Sequence, residues 1–578
     1  MKIKHLFGLA VIAAMTASCS SNEDLGTAGP GTGNNETGVG YATFTINLPS
    51  TNGTRAGNPT YEQGTLDEYD VNDVTLLIFK RGEATKEGDY TFVEKADLGN
   101  MAPWKAEGSN GITASATITA KLTGVALTSE GSTSDYYALA ILNNNADATG
   151  AGGKVKLPTT GTYSTWNDAS NADVAKFTNN TNGYYMANAP KFTSGEPTTL
   201  VKIDKVYATK QKAETNAATT IHVERGLAKV TVAALPTGKS PTGTKYAEDK
   251  VDITAWKLDV TNKSTFPIHK TAGLSEKFTT IWSNVSGTAP VTAPVTARFV
   301  DASNTAFSRV YWGVDPNYSD DLDEAACKDA FNLLEPNAEI KGTADKPQYC
   351  LENTFDIKHM MQGQTTRVVF KATYTPHGFT PGDTFYKIGN STDLWKKADL
   401  EDQIKAKAVE VLGATSVITV DLGATGNNLN EAGTRLLKVG NVKNGSAAVP
   451  QDKIDEINAK LGLKKATATD PIVGIATYKS GESYYIARIK HFGDAATPWK
   501  EGDPTYGDND DTNNKKYLGR YGVLRNNWYE LTVGNVSGPG TPDVPTIKPT
   551  EPDDESYKYI SVSVKILSWA KWSHSYDL

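Results

Sequence analysis

YATFTINLPSTNGTRAG, residues 41–57, places an alternating strand directly before an exposed basic loop. Ala42, Phe44, Ile46 and Leu48 alternate with Thr43, Thr45 and Asn47, the period-2 pattern of a strand with one buried face. Thr54-Arg55-Ala56-Gly57 follows, and Arg55 is the first arginine in the chain. A core strand is therefore joined to the rest of the protein through the kind of loop a trypsin-like protease cuts.

A second segment at the far end repeats the pattern. In YISVSVKILSWAKWSHSYDL, Ile560, Val562, Val564 and Ile566 alternate with Ser561, Ser563 and Lys565. It follows VSGPGTPDVPTIKPTEPDDE (536–555), where Pro539, Pro542, Pro545, Pro549 and Pro552 are too frequent for a central strand. They predict an extended arm, roughly 60 Å long at ~3.1 Å per residue.

Between these ends, 578 residues exceed one hydrophobic core and predict two or three domains. The chain holds 51 Gly and 26 Tyr with only 21% charged residues, which favours strands joined by polar turns over helices. A net charge of -8 with no basic stripe argues against nucleic-acid binding. Strands are expected at 71–82, 114–127, 136–145, 198–209, 221–235, 251–262, 308–314, 365–375, 482–492 and 526–536, separated by Gly, Asn, Ser and Pro clusters as in a sandwich. Two helices interrupt the series. One covers 399–413 with Leu400, Ile404 and Val411 on one side. The other covers 450–462, opening on Pro450, with Ile454, Ile457 and Leu461 on one face and Gly462 as its stop.

The first 19 residues read as an export signal. Lys2, Lys4 and His5 precede the 12-residue apolar run LFGLAVIAAMTA, which is too short to span a bilayer. Small residues then lead to Cys19, resembling a bacterial lipobox in which Cys19 is acylated, although Thr16 stands where Leu is usual. The acidic stretch after it resembles the tag that sends Bacteroidetes lipoproteins to the outer surface. Residues 20–40 form a Gly-rich tether with an r.m.s. reach of about 25 Å. No other apolar run reaches 18 residues, so any membrane attachment is through lipid. Cys327 and Cys350 are the remaining cysteines. In an oxidising setting they either pair, closing a loop worth about 3 kcal/mol, or stand as two buried thiols.

Enzyme signatures are scarce. The seven histidines show no HExxH and no pair at ligand spacing, and neither G-x-S-x-G nor a complete G-x-G-x-x-G occurs. Gly238-Lys239-Ser240 resembles the end of a phosphate loop, but Ala233 occupies the position of its first glycine, so a turn is the better reading. Asp508, Asp510 and Asp511 lack the ordered Gly and terminal Glu of an EF-hand and read as a solvated loop. Tyr484-Tyr485 reads as sandwich core and strand surface. No catalytic residue, metal site or cofactor is expected.

Several ordered blocks together resemble the fimbrillins of Bacteroidales type V pili, of the Mfa and FimA kind. These are the signal with Cys19, the strand ending at Arg55-Ala56, VERGLAKVTV (223–232), QYCLENTFDIKHMMQGQTTRVVFKATY (348–374), YYIARIKHF (484–492), YGVLRNNWYELTV (521–533) and ISVSVKILSW (560–569). Residues 376–470 and 495–520 carry little of it.

The resemblance implies an all-β chain with minor helical insertions, built as two transthyretin-like β-sandwich domains in tandem. The expected division is a signal at 1–19, a propeptide at 20–55, sandwiches at 56–222 and 223–536, and an arm with donor strand at 537–578. It also implies lipidation at Cys19, cleavage between Arg55 and Ala56 by an arginine-specific protease, and loss of the strand bearing Ala42, Phe44, Ile46 and Leu48. The segment with Ile560, Val562, Val564, Ile566 and Trp569 then fills the vacated groove of the next subunit. Partners are other copies of the chain, and the location is a cell-surface fimbria supporting adhesion and biofilm formation, with the precursor lipid-anchored to the outer membrane. The alternative is a surface lipoprotein that binds glycans or host ligands without polymerising.

Overall fold

The structure is a computed structural model that describes residues 39–48, 68, 70–99, 115–145, 152–169, 172–178, 182–192, 196–243, 245–272, 308–310, 312–318, 323–354, 359–413, 417–424, 428–467, 472–492, 497, 519–547, 549 and 560–568. Of strand Ile560–Ser568 it describes the backbone. Cys19, Arg55, Ala56, Trp569 and the aspartates at 508–511 lie outside the described residues.

The chain is mostly strand with a few helices, as expected. Its N-terminal part forms one sheet with Thr91–Gly99 at one end, followed by Val74–Lys80, Tyr136–Leu142, Met186–Asn188, Thr219–Arg225, Gly40–Asn47 and Ser115–Leu122. The strand Thr219–Arg225 turns the corner. Its first half pairs with Gly40–Asn47, while its second half, Val223 to Arg225, pairs with Met186–Asn188. The sheet thereby folds over itself, and Phe44, Ile46 and Ala120 meet Leu76, Ile78, Ala140 and Leu142 in one core.

Val74–Lys80 is apolar at nearly every position because it is buried on both faces. Val74, Leu76 and Ile78 enter that core, and Leu77 and Phe79 enter a second one with Tyr163, Trp166 and Tyr185. Sheet membership changes at Gly226, where the next strand, Leu227–Val232, joins a different sheet. A Cβ at Gly226 would collide with the Phe177 ring, so the chain passes only as glycine.

The second sandwich packs two sheets. One orders Gln348–Leu351, Leu227–Val232, Asn527–Val536 and Ile560–Ser568; the other orders Lys250–Asp259, Arg367–Thr375 and Glu482–Arg488. Ala228, Val230, Tyr529 and Leu531 face Trp256, Phe370, Tyr374 and Tyr485 across the core.

The antiparallel neighbours Arg367–Thr375 and Glu482–Arg488 are joined by an inserted module with a core of its own. Helix Lys397–Leu412 buries Leu400, Ile404 and Ala408, and helix Gln451–Lys460 buries Ile454, Ile457 and Asn458. Val411 and Leu461 are only partly buried there. Pro450 is the N-cap of the second helix, and Gly462 at φ 73° ends it, donating to the Ala459 carbonyl. Among the described residues, no helix is long and apolar enough to cross a membrane.

The half-buried carboxylate of Glu87 pins the loop before Val201–Lys202, accepting from the Thr199 and Leu200 amides at 2.9 and 2.6 Å. Burial pushes this carboxyl up to about 7, against the lowering effect of those two amides. Because the folded chain holds the proton more tightly than the unfolded one, this group's contribution is fully present below about pH 4.5 and is lost as pH rises through 7. Glu87→Gln, which keeps an acceptor for both amides, should flatten the pH dependence of the urea midpoint between pH 5 and 7.5. The expected difference from the parent is on the order of 2–3 kcal/mol. Identical slopes in parent and variant would rule it out.

Candidate functional site

Strand Gly40–Asn47 is held on both edges. It runs antiparallel to Ser115–Leu122 from Gly40↔Leu122 to Asn47↔Ser115, and parallel to Thr219–Arg225 from Phe44↔Thr219 to Asn47↔His222. Tyr41 and Tyr207 exchange backbone hydrogen bonds, both 2.8 Å. Ala42, Phe44, Ile46 and Leu48 are 1%, 0%, 0% and 2% exposed. On the other face, Thr43 and Thr45 bond the hydroxyls of Thr119 and Thr117, each at 2.9 Å. Nothing in GYATFTINL is charged, so no ion pair fixes the strand; backbone ladders and apolar burial do. The slot closes at Gly40, where a Cβ would strike Val206 and approach Val125 and Leu127. His222, opposite Asn47, is held below the ordinary imidazole range by burial and then by Lys191.

The C-terminal strand Ile560–Ser568 has one partner in its sheet, Asn527–Val536, and sits at the sheet's end. Register places Ile566, Val564 and Val562 opposite Tyr529, Leu531 and Val533, which are core residues. In the single chain this strand therefore pairs within its own sandwich.

The Pro-rich stretch does not stand off as an arm over its first half, as the proline spacing predicts. Val536, Pro539, Gly540 and Val544 are buried against the sandwich. The Tyr485 hydroxyl donates to the Gly538 carbonyl at 3.0 Å, and the Tyr478 hydroxyl to that of Gly540 at 2.8 Å. Prolines block a ladder and leave neighbouring carbonyls as acceptors; the two tyrosines satisfy those of Gly538 and Gly540, and Arg367 that of Pro545.

Glu68, 13 residues beyond Arg55, is a site that sequence reasoning missed. Its carboxylate is 1% exposed on the side-chain scale and meets Lys229 Nζ at 2.7 Å, and the Tyr349 hydroxyl donates to it at 2.7 Å. Arg225 Nε and Nη2 donate to its carbonyl at 3.0 and 2.9 Å. The Lys229 and Tyr349 contacts tie the segment entering the first sandwich to strands of the second, and those of Arg225 tie it to the last residue of Thr219–Arg225 in the first. A lone Glu in a polar stretch gives no periodic signal that would have marked it.

Cys327 and Cys350 are free, so the disulfide left open above is not formed. Cys350 lies on Gln348–Leu351 inside the second core, while Cys327 is buried on helix Glu324–Ala330. Burial pushes their thiols up to about 12 and about 11. Tyr485 is core, as read from the sequence, and Gly238 at φ 60° turns the chain at 238–240. Among the described residues, no group of three or more His, Cys, Asp or Glu is placed to hold a metal.

Residues 476–575 match the family model described as major fimbrial subunit protein type IV, fimbrillin, C-terminal. A search of curated proteins finds no match. Among solved structures, the chain is similar to a candidate cell-adhesion protein from Parabacteroides distasonis, at 12% identity and a TM-score of 0.38, covering 92% of this chain and 99% of that one. It is similar to a fimbrilin (FimA) from Porphyromonas gingivalis, at 12% identity and a TM-score of 0.35, with 92% and 99% covered. It is also similar to the tip fimbrial protein Mfa3 from Porphyromonas gingivalis, at 10% identity and a TM-score of 0.28, with 92% and 100% covered. The matched segment begins within strand Ile475–Tyr478, takes in Glu482–Arg488 and Asn527–Val536, and runs through the C-terminal strand. The chain thus resembles the fimbrillins, and residues 476–575 are where it carries their family pattern.

Proposed function

We propose that this protein is a structural, stalk-type subunit of a cell-surface fimbria. It is exported as a precursor acylated at Cys19, cleaved between Arg55 and Ala56 by an arginine-specific protease, and polymerised when its C-terminal strand enters the groove vacated by Gly40–Leu48 of a neighbouring copy. Adhesion and biofilm formation follow from the fibre. The two sandwiches divide at Gly226, between strand Thr219–Arg225 of the N-terminal sheet and Leu227–Val232 of the next, rather than at 222/223, and the membrane contact is the precursor's lipid.

One observation carries this reading. A strand that fills the middle of a core, with ladders on both edges, is followed seven residues beyond Leu48 by Arg55. Losing it leaves Ser115–Leu122 and Thr219–Arg225 with unpaired edges around an apolar slot, which invites another strand. The terminal strand supplies the same alternation. Because donor and slot are different surfaces, the contact does not close on itself and generates a filament.

Incubating the purified precursor with a trypsin-like protease should give one early cut and then a ladder of SDS-resistant multimers on an unboiled gel. Arg55→Ala should lower ladder formation at least tenfold. A cut protein that stays monomeric sinks polymerisation and favours a glycan-binding surface lipoprotein; an unchanged ladder from Arg55→Ala moves the cleavage elsewhere.

A further inference from the structure

We propose that residues 538–547, together with Pro549, form a strap hooked over the edge of strand Glu482–Arg488, fixing the point from which the C-terminal strand can reach another subunit. The inference rests on the exchange reading above and adds the residues that set its reach.

The geometry of the hook is specific. Glu482–Arg488 is the end strand of its sheet. On the core side, Tyr485 reaches the Gly538 carbonyl. At the edge, Tyr484 and Thr541 exchange two backbone hydrogen bonds, each 2.9 Å. Gly540 makes the crossing, because a Cβ there would run into the Tyr484 carbonyl oxygen. On the far face, Val544 is 1% exposed and packs with Ala255, Ile340 and Val369. Buried Arg367 donates from Nε to Asp259 at 2.7 Å and from Nη2 to the Pro545 carbonyl at 2.8 Å. Ile547 and Pro549 lie beside Gly363.

Tyr478, on the last strand of the inserted module, bonds the Gly540 carbonyl. Asp543 lies beside Gly433 of the same module. The strap therefore binds module and sandwich together while covering an otherwise open sheet edge.

The consequence is a length limit. From Pro549 to Ile560 there are 11 Cα steps, spanning at most roughly 40 Å; from Val536 there are 24, or roughly 85 Å. With the strap in place, the donor strand has about half the reach its proline-rich stretch implies. Tyr478, Tyr484, Tyr485 and Arg367 act here as positioning residues.

The test is a rescue. Nested deletions of two, four, six and eight residues are made within 550–557, in the parent and in Gly540→Val, and each is cleaved and scored for the SDS-resistant ladder. Short deletions should be tolerated by both, and the longest tolerated deletion should be greater in Gly540→Val, whose freed strap supplies slack. Tyr478→Phe/Tyr485→Phe, which removes only two hydroxyls, serves as a second release variant that keeps the core volume. The same tolerated limit in the parent and both release variants overturns the strap. Independently, hydrogen exchange on the uncut parent should show the Thr541 and Tyr484 amides protected at least a hundredfold, with the Thr541 amide losing protection in Gly540→Val. Unprotected amides in the parent overturn the strap as well. A parent that gives no ladder after cleavage refutes the exchange reading instead, and the exchange data then decide the strap alone.

Discussion

A chain lacking residues 557–578 is expected to be cut at the same early position as the parent and then to stop, with no species above the monomer. The size of the effect follows from where the strand sits. Among the described residues, Ile560–Ser568 is terminal in its sheet and pairs with Asn527–Val536 alone, so removing it opens one edge without parting two strands from each other. Asn527–Val536 stays anchored on its other side by the parallel pairing of Lys229 to Val232 with Trp528 to Leu531, and Tyr529 and Leu531 remain in the core. The truncated chain should therefore keep its remaining strand pairing by circular dichroism, with a stability loss that comes from one lost ladder and the newly open edge of Asn527–Val536. Chain growth, in contrast, should fall below detection. A folded truncated protein that still gives the ladder assigns the donor to another segment. Val564→Lys makes the same point within a full-length chain, since register sets that position against Leu531 in cis, and a lysine there cannot enter an apolar slot without a large desolvation penalty.

Why the first strand was legible from sequence, and the strap was not, has one physical explanation. Gly40–Asn47 buries one face and hydrogen-bonds its threonines on the other, so burial maps directly onto period two. Lys250–Asp259 and Arg367–Thr375 also lie close to their expected limits, marked by apolar, β-branched and aromatic content, the second being buried on both faces over most of its length. The stretch 221–235 reads as one strand, yet it is two, because Gly226 marks a crowded bend that an apolar pattern conceals.

Thr91–Gly99 escaped for the opposite reason. It is an end strand, TFVEKADLG, whose charges suit an edge but erase the alternation. The prolines of 536–555 correctly excluded a strand. What they could not convey is that Tyr478, Tyr485 and Arg367, distant in sequence, would supply donors to carbonyls that no ladder uses. Glu68 belongs with these: its buried partners Lys229 and Tyr349 are brought to it by tertiary structure alone. Pattern therefore reached the elements whose burial is periodic, and missed the contacts made by single residues over long separations.

The synthetic peptide YISVSVKILSW, residues 559–569, should restore a cut subunit from which the first strand has been stripped, and should block the ladder when equimolar with slots. Stripping removes Phe44, Ile46 and Leu48 from the core, at roughly 1.5–3 kcal/mol each and so roughly 5–9 kcal/mol gross, an upper bound for a slot that partly collapses. At ~2–4 °C per kcal/mol for a domain of this size, the fall in Tm is at most roughly 10–35 °C, most of it recovered with peptide.

In the exchange proposed above, the peptide should lie as Gly40–Asn47 does, antiparallel to Ser115–Leu122, parallel to Thr219–Arg225, and limited at the Gly40 end by Val206. An isoleucine cannot take the Gly40 position, so Ile560 falls at Ala42 and Val562, Val564 and Ile566 follow at Phe44, Ile46 and Leu48. A slip by one residue would set Ser561, Ser563 and Lys565 against the core, and a peptide with the same composition but broken alternation should neither raise Tm nor stop growth. Replacing Ile560 by Ala should weaken the peptide less than replacing Val564 by Asp, because the Ala42 position is the smaller site and Ile46 is fully buried. If the stripped subunit is destabilised and neither its Tm nor its ladder responds to the peptide, the groove and this strand are not partners; if both peptides act alike, binding is apolar adhesion without register.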